Sequence, residues 1–233
     1  MKSPSEIAIA LEASAVTTAL VYPAERAAAA LILGHGAGAG QRSAFMVAFA
    51  GALSALGLDI VTFNFLYAEQ GRRLPDRGPA LEACYRRVIA TVRERVDGAG
   101  RQLFIGGKSM GGRIATQVAA ADPDLPVAGL VLLGYPLHPP GRPEQRRDAH
   151  LAAIGRPMLF VQGSRDNFGR PGELAPVLSA LTPASPPALH IVEGGDHSLK
   201  LPGNDRAAQA AVYASVQRAI VDWIGRVSGT SAP

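Results

Sequence analysis

The chain has 233 residues, a formal net charge of +4, 48% hydrophobic residues and 18% charged residues. This composition is typical of a globular protein with one sizeable apolar core, and it argues against an intrinsically disordered chain. No apolar run approaches the ~20 residues of a transmembrane helix, and no signal peptide is recognised, so we expect a cytoplasmic protein that does not bind membranes. The basic residues are spread along the chain, which disfavours a nucleic-acid partner. We treat residues 1–233 as a single domain.

Short apolar runs alternate with helical patterns along the chain. This alternation predicts an α/β protein with a mostly parallel central sheet and helices on both faces. A hairpin within residues 1–25 opens the sheet, and the predicted strands are 5–11, 15–22, 29–34, 59–65, 102–106, 128–134, 157–162 and 187–192. The apolar face of the first predicted helix consists of Phe45, Phe49, Leu53 and Leu56. That of the last predicted helix consists of Val212, Val216, Ile220 and Trp223. Two other helices are predicted, at about 79–96 and directly after Ser109, and the tail 228–233 is predicted to be frayed.

A serine with G-x-S-x-G spacing, Ser109, lies between a predicted strand and a predicted helix. In this context the serine occupies a sharp turn with a strained backbone, and Gly107 and Gly111 relieve the crowding on either side. The turn also places the serine at a helix N-terminus, where free N–H groups stabilise developing negative charge. The spacing therefore predicts that Ser109 is a nucleophile.

Two phosphate-binding motifs overlap the glycine-rich segments, and neither fits completely. A P-loop requires a glycine where Gln102 stands, inside an apolar strand. Residues 34–39 have the looser dinucleotide-binding spacing, but Asn64 lies where an acidic residue that binds ribose is expected. We therefore expect no cofactor. No Cys, His and Asp grouping has metal-ligand spacing, and Cys84, the single cysteine, lies on a helical stripe that predicts burial.

The loop at residues 34–38 follows a strand that we expect beside the strand of Ser109. Its backbone N–H groups can form one half of an oxyanion hole, and we assign that half to Ala37. The N–H of Met110 is predicted to form the other half. His35, in the same loop, is interpreted as a structural hydrogen-bonding residue rather than a catalytic base.

When a serine nucleophile lies between a strand and a helix in this way, the acid and then the histidine of the catalytic triad follow later in the chain. Asp166 follows the strand 157–162 through a glycine turn, and His197 follows the strand 187–192 through two glycines. We predict that His197 is the base and that Asp166 orients it. The competing residues are weaker candidates because they lie within a strand, in a connection rich in proline and arginine, before a strand, or beside His197 in sequence. In that order they are His190, His138 and His150, Asp148, and Asp196.

Four segments together resemble a compact dienelactone-hydrolase-like group of α/β-hydrolases over residues 28–225. They are 33–38 (Leu-Gly-His-Gly-Ala-Gly), 106–113 (Gly-Gly-Lys-Ser-Met-Gly-Gly-Arg), 160–166 (Phe-Val-Gln-Gly-Ser-Arg-Asp) and 195–198 (Gly-Asp-His-Ser). The resemblance implies a sheet of about seven or eight strands with a serine hydrolase site at its C-terminal edge. Dienelactone hydrolases proper carry cysteine where this chain has Ser109, so the resemblance does not assign dienelactone as the substrate.

The site is expected to be open, without a cap domain. The connection 141–156 is too short and too polar to form a separate helical lid. Substrate-binding walls are therefore predicted from the loop 65–78 and from residues 135–137 after the sixth strand. Whether Arg72 and Arg73 contribute at the rim is left open. The predicted substrate-binding residues are Gly36, Tyr67, Tyr135 and Leu137.

Two functional classes remain open at this point. The first is an esterase-type serine hydrolase that cleaves a small acyl ester or thioester through an acyl-enzyme on Ser109. The second is a non-catalytic binding or scaffold protein that retains the hydrolase fold, because fold alone does not establish activity. The expected partner is a small-molecule acyl substrate, and the sequence leaves the oligomeric state open.

Overall fold

A computed structural model describes residues 3–182 and 186–229 of the chain. Its centre is an eight-stranded sheet in the order β1-β2-β4-β3-β5-β6-β7-β8. The strands are β1 Ser5–Ala10, β2 Val16–Tyr22, β3 Ala29–Gly34, β4 Leu58–Phe63, β5 Leu103–Lys108, β6 Gly129–Leu133, β7 Met158–Gly163 and β8 Ala188–Val192. Strands β1 and β2 are antiparallel to their neighbours, and β4, β3, β5, β6, β7 and β8 run parallel. The predicted fold class is confirmed.

Helices cover both faces of this sheet, as predicted. They are α1 Ala44–Ala55, α2 Leu66–Glu69, α3 Gly78–Arg95, α4 Asp97–Arg101, α5 Met110–Ala120, α6 Pro171–Ser179 and α7 Arg206–Ser228. The sequence patterns missed α2, α4 and α6, because the first two are single short turns and the third contains Pro171, Gly172 and Pro176. A proline in the first turn of α6 costs no hydrogen bond. Of the predicted frayed tail, Ser228 ends α7, Gly229 caps it, and 230–233 lie outside the described residues.

The apolar core consists of two clusters, one on each face of the sheet. Helices α3 and α5 pack on one face through residues such as Val88 and Ile114, whereas α1 and α7 pack on the other through Phe49 and Trp223. Leu56, predicted on the buried face of α1, is 42% exposed because it lies just beyond the helix end. Cys84 is buried as predicted, and burial raises the pKa of its thiol to about 12.

Parallel strands bring several loops to one edge of the sheet. The carboxyl ends of β3, β5, β7 and β8 carry the loops that contain the predicted functional residues. Between β6 and β7 the chain forms only a short 3-10 helix, Ala149–Ala153, so this fully described connection contains no cap domain. The edge is therefore open above β5.

A buried tyrosine on α3 supports the end of β5. The Tyr85 hydroxyl donates to the Gly106 carbonyl at 2.6 Å and accepts from the Gly106 N–H at 3.0 Å. Gly106 lies directly before Gly107, whose φ is 152°. The tyrosine hydroxyl therefore supplies a hydrogen-bond partner to both backbone groups of Gly106 just before the end of β5. Without the hydroxyl, a fully buried N–H and carbonyl would lose a partner.

Tyr85→Phe is expected to lower the free energy of unfolding by about 1–3 kcal/mol, since it removes that partner without changing the ring packing. The measurement is equilibrium urea unfolding followed by the fluorescence of Trp223, the single tryptophan. Tyr213→Phe is the matched control, because its half-buried hydroxyl makes one longer bond of 3.3 Å to Ser198. Equal stability changes in the two variants would contradict this account.

Candidate active site

Ser109 lies at the junction of β5 and α5 with φ 52° and ψ −115°. This positive φ is strained for a residue with a side chain, and it persists only where the surroundings enforce it. The turn packs directly on the backbone of β3: a Cβ at Gly107 or Gly111 would lie 2.3 Å or 2.2 Å from the Gly34 carbonyl oxygen. The two glycines are therefore needed because the backbone of β3 lies close to the turn. The sequence predicted crowding on either side of Ser109 but not this contact with β3.

Ser109, His197 and Asp166 lie within hydrogen-bond distance of one another. His197 Nε2 is 2.8 Å from Ser109 Oγ, and His197 Nδ1 is 2.8 Å from Asp166 Oδ2 and 3.0 Å from Oδ1. A carboxylate only accepts hydrogen bonds, so the ring proton belongs on Nδ1 and Nε2 is left to accept from the serine hydroxyl. The structure thus brings the three predicted residues together in the geometry that proton transfer requires.

The Asp166 carboxylate is fully buried and is held by two further donors. Oδ1 accepts from the Phe168 N–H at 2.8 Å, and Oδ2 accepts from Gln162 Nε2 at 2.9 Å. The same Gln162 amide donates to the Gly169 carbonyl at 2.7 Å, and its Oε1 accepts from the Tyr135 N–H at 2.9 Å. Gln162 therefore ties the loop of Asp166 to the end of β6. Gln162 was not among the predicted site residues, although a polar residue in the buried strand 157–162 was a usable signal.

Close packing fixes the loop of His197 from three sides. The Phe168 ring stacks on the imidazole with centroids 4.0 Å apart. Gly134, with φ 61°, leaves room beneath it, since a Cβ there would lie 2.7 Å from the His197 carbonyl oxygen. Lys108 Nζ donates to that carbonyl at 3.4 Å, and burial lowers the pKa of Lys108. These contacts orient the ring toward Ser109.

The residues assigned to an oxyanion hole, Ala37 and Met110, both line the cleft at Ser109. Gly36 does so too, and a Cβ there would lie 3.6 Å from the Ser109 Cβ. His35 is fully buried beneath the loop: its Nδ1 donates to the Gly36 carbonyl at 2.8 Å and its Nε2 accepts from the Phe65 N–H at 3.2 Å. Both ring nitrogens are therefore occupied by backbone, and burial lowers the His35 pKa, which agrees with a structural role.

The cleft above Ser109 has a volume of about 580 Å³ and is open to solvent. The loop after β3, the ends of β5 and β6, the segment 75–81 and the loop of His197 form its walls. Besides Gly36, Ala37, Ser109, Met110 and His197, the cleft is lined by Ala39, Ser43, Phe45, Pro75, Asp76, Gly78, Leu81, Lys108, Arg113, Pro136, Arg147, Phe168 and Ser198.

Three of the four predicted substrate-binding residues do not line this cleft, so that part of the prediction is wrong. Tyr67 and Tyr135 are fully buried, and Leu137 is 1% exposed. Tyr67 packs edge-on against the His35 ring, and the Tyr135 hydroxyl donates to the Arg147 carbonyl at 2.6 Å. Their rings turn into the core beneath the loops, and of the residues beside them in sequence only Pro136 is among those that line the cleft.

The remaining candidates lie away from the Ser109 hydroxyl or serve the backbone. Asp196 Oδ1 accepts from the N–H groups of Ser198 and Lys200 at 2.7 Å and 2.9 Å, so it shapes the histidine loop. Arg72 forms an ion pair of 2.7 Å with Asp76, which does line the cleft, whereas Arg73 lines a neighbouring depression.

Within residues 3–182 and 186–229, no helix is long and apolar enough to cross a membrane.

Family comparison agrees with this fold. A family model described as "Alpha/beta hydrolase domain" matches residues 27–225, which is most of the chain. The chain belongs to this α/β-hydrolase family.

Solved structures with the same fold have low sequence identity to this chain. An alpha-beta serine hydrolase homologue from Coxiella burnetii is 17% identical with a TM-score of 0.73, over 96% of this chain and 99% of that one. Dienelactone hydrolase from Anabaena variabilis is 19% identical with a TM-score of 0.73, over 97% and 99%. A serine hydrolase without lid from Xanthomonas campestris is 18% identical with a TM-score of 0.69, over 97% and 95%. At these identities the likeness establishes the fold.

The Gln162 amide is expected to hold Asp166 against His197, and proton NMR can test this. The His197 Nδ1 proton should give a far-downfield resonance in the wild type, which Gln162→Leu broadens or removes because the carboxylate loses one of its fixed donors. Gln217→Leu is the matched control, since Gln217 is also a buried glutamine but lies in α7, on the opposite face of the sheet. An unchanged resonance in Gln162→Leu would show that Phe168 and the ring stacking suffice.

Proposed function

We propose that this protein is an esterase-type serine hydrolase that cleaves a small acyl ester or thioester through an acyl-enzyme on Ser109. The observation that carries the proposal is the continuous chain of hydrogen bonds from the strained Ser109 through His197 to the buried Asp166. This chain combines an exposed nucleophile, a base within reach and a group that orients the base. A binding protein has no physical need for a strained serine paired with an oriented imidazole.

In the first half of the reaction, Ser109 Oγ attacks the acyl carbonyl carbon while His197 Nε2 takes the hydroxyl proton. The negative charge on the carbonyl oxygen is met by the N–H groups of Ala37 and Met110, which are fixed by the loop after β3 and by the start of α5. Fixed donors of this kind stabilise charge without reorganising. Asp166 stabilises the imidazolium that forms, and it remains a carboxylate throughout.

Collapse of this intermediate breaks the ester or thioester bond, and the leaving group receives the proton from His197 Nε2, which completes the acyl-enzyme on Ser109. The second half is hydrolysis of that acyl-enzyme. A water molecule then gives a proton to the same nitrogen and attacks the acyl carbon. The acyl group leaves as a carboxylic acid, and Ser109 regains its proton. Every proton passes through one imidazole nitrogen, which is why the ring orientation enforced by Phe168 and Gly134 matters.

The shape of the cleft supports a small substrate. It is an open cavity of about 580 Å³, within the range for small-molecule sites. A long acyl chain would extend into solvent and would gain little of the ~0.8 kcal/mol that each buried methylene contributes. We therefore assign short acyl groups rather than long-chain lipids.

Ser109→Ala is expected to lower kcat for 4-nitrophenyl acetate by about 10⁴-fold or more, because the covalent route disappears. The measurement is the initial rate of nitrophenolate release, with circular dichroism to verify folding. Ser179→Ala, at an exposed position on α6, is the matched control and should retain wild-type rates. Retention of a tenth of the activity in Ser109→Ala would contradict the assignment. Absence of hydrolysis in the wild type across a panel of esters and thioesters would favour the scaffold alternative.

The acid can be tested by comparing two aspartates near the histidine. Asp166→Asn should lower kcat by about 10⁴-fold, as loss of the orienting carboxylate does in other triads. Asp196→Asn should have a far smaller effect, because the hydrogen bonds that the described residues make to the Asp196 carboxylate come from backbone N–H groups of its own loop. The reverse order of the two effects would move the acid to Asp196.

A further inference from the structure

The cleft at Ser109 is lined by three basic residues from three different elements, Lys108, Arg113 and Arg147. Lys108 precedes the serine, Arg113 lies one turn into α5, and Arg147 belongs to the connection between β6 and β7. All three are partly buried, so solvent screens their charges less than it screens charges on an open surface. Positive charge is therefore concentrated beside the nucleophile.

None of these three cations forms an ion pair with a carboxylate in the described part of the chain. Asp76 lines the same cleft but is paired with Arg72 at 2.7 Å. Asp148, next to Arg147 in sequence, is paired with Arg146 at 2.6 Å. These two carboxylates are thus paired with arginines that do not line the cleft. Among the residues that line the cleft, three cations therefore stand against the one paired carboxylate of Asp76.

The positive charges of Arg113 and Arg147 repel each other. Burial and the neighbouring Arg147 guanidinium lower the pKa of Arg113, and the attraction of Glu82 is weaker than that repulsion. Arginine nevertheless stays protonated at any physiological pH. The side-chain partner of the Arg113 guanidinium is a neutral one, Gln117 Oε1, at 3.3 Å. An anion between the two guanidiniums would relieve the repulsion and fill their donor forks.

Lys108 is engaged differently from the two arginines. Its Nζ donates to the His197 carbonyl and lies 5.5 Å from the centre of the Phe45 ring. The lysine therefore holds the histidine loop and adds to the positive field, while the two arginines remain available to a ligand.

We propose that the substrate carries a carboxylate group, which Arg113 and Arg147 bind while its ester or thioester carbonyl lies at Ser109. The inference rests on the proposed hydrolase function and assigns the substrate class of that same site. A planar carboxylate matches the guanidinium fork, and a small acid ester fits an open cleft of about 580 Å³. The enzyme would thereby select half-esters of dicarboxylic acids, or hydroxy acids that are acylated on the hydroxyl and keep a free carboxylate, over neutral esters of equal size.

The test compares charged and neutral esters of matched shape. On the acyl side, the pair is the 4-nitrophenyl monoester of adipic acid and its neutral methyl diester; on the leaving-group side, 4-acetoxybenzoate and its methyl ester. In at least one pair, kcat/KM for the charged ester should exceed that for the neutral ester by about 10-fold or more, mainly through a lower KM, which is the range for a hydrogen bond to a charged group. The preference should fall as ionic strength rises.

Arg113→Gln and Arg147→Gln should each remove most of this preference, chiefly by raising KM for the charged ester toward that for the neutral ester. Arg218→Gln, an exposed position on α7, removes the same charge far from the cleft and should leave the preference intact. A preference that survives both cleft substitutions would overturn the proposal.

Binding to the Ser109→Ala protein separates this proposal from the proposed function. Calorimetry should detect binding of adipate but not of dimethyl adipate, and Arg113→Gln should abolish it. Ser109-dependent hydrolysis with equal kcat/KM for charged and neutral esters, and no adipate binding, would overturn the carboxylate assignment and leave the hydrolase function standing. Inorganic phosphate binding more tightly than adipate would also overturn it. Adipate binding without hydrolysis of any ester would instead contradict the hydrolase function.

Discussion

The close contact between β3 and the turn after β5 is the constraint on which the site depends. Gly107 and Gly111 approach the backbone of Gly34 so closely that neither could carry a Cβ. That contact holds Ser109 at a positive φ and lifts its side chain out of the sheet edge. The strain in the serine backbone is offset by the eight-stranded sheet and by saturated buried contacts such as the Tyr85 hydroxyl on Gly106.

The histidine is also positioned by close packing at strand ends, here those of β7 and β8. Asp166 follows β7 and is fixed by Gln162 and the Phe168 N–H, while His197 follows β8 and is fixed by stacking and by the room that Gly134 leaves. Each of these groups acts through another residue rather than on a substrate. Together they give the imidazole one orientation, and the proposed mechanism requires that orientation because a single nitrogen transfers every proton.

Local signals in the sequence predicted the sheet, the main helices and the residues that meet at Ser109. Strand-length apolar runs fix the core, and the glycines around Ser109, Asp166 and His197 mark turns at strand ends, where parallel topology brings loops together. The cleft walls were predicted poorly, because apolar rings such as Tyr67 and Tyr135 were read as exposed when burial in the core is more favourable. The charge of the cleft depends on which arginines have carboxylate partners, and sequence spacing does not encode such pairings between distant loops.

The central claim is that the fold activates one serine, and covalent labelling tests it without knowledge of the substrate. Purified protein is treated with a fluorophosphonate, digested and analysed by peptide mass spectrometry, in parallel with His197→Ala protein that retains the serine. The account predicts one adduct per chain, on Ser109, whose rate of formation falls by orders of magnitude when His197 is replaced. An unmodified Ser109 in the folded wild type, or labelling at an equal rate in His197→Ala, would contradict it.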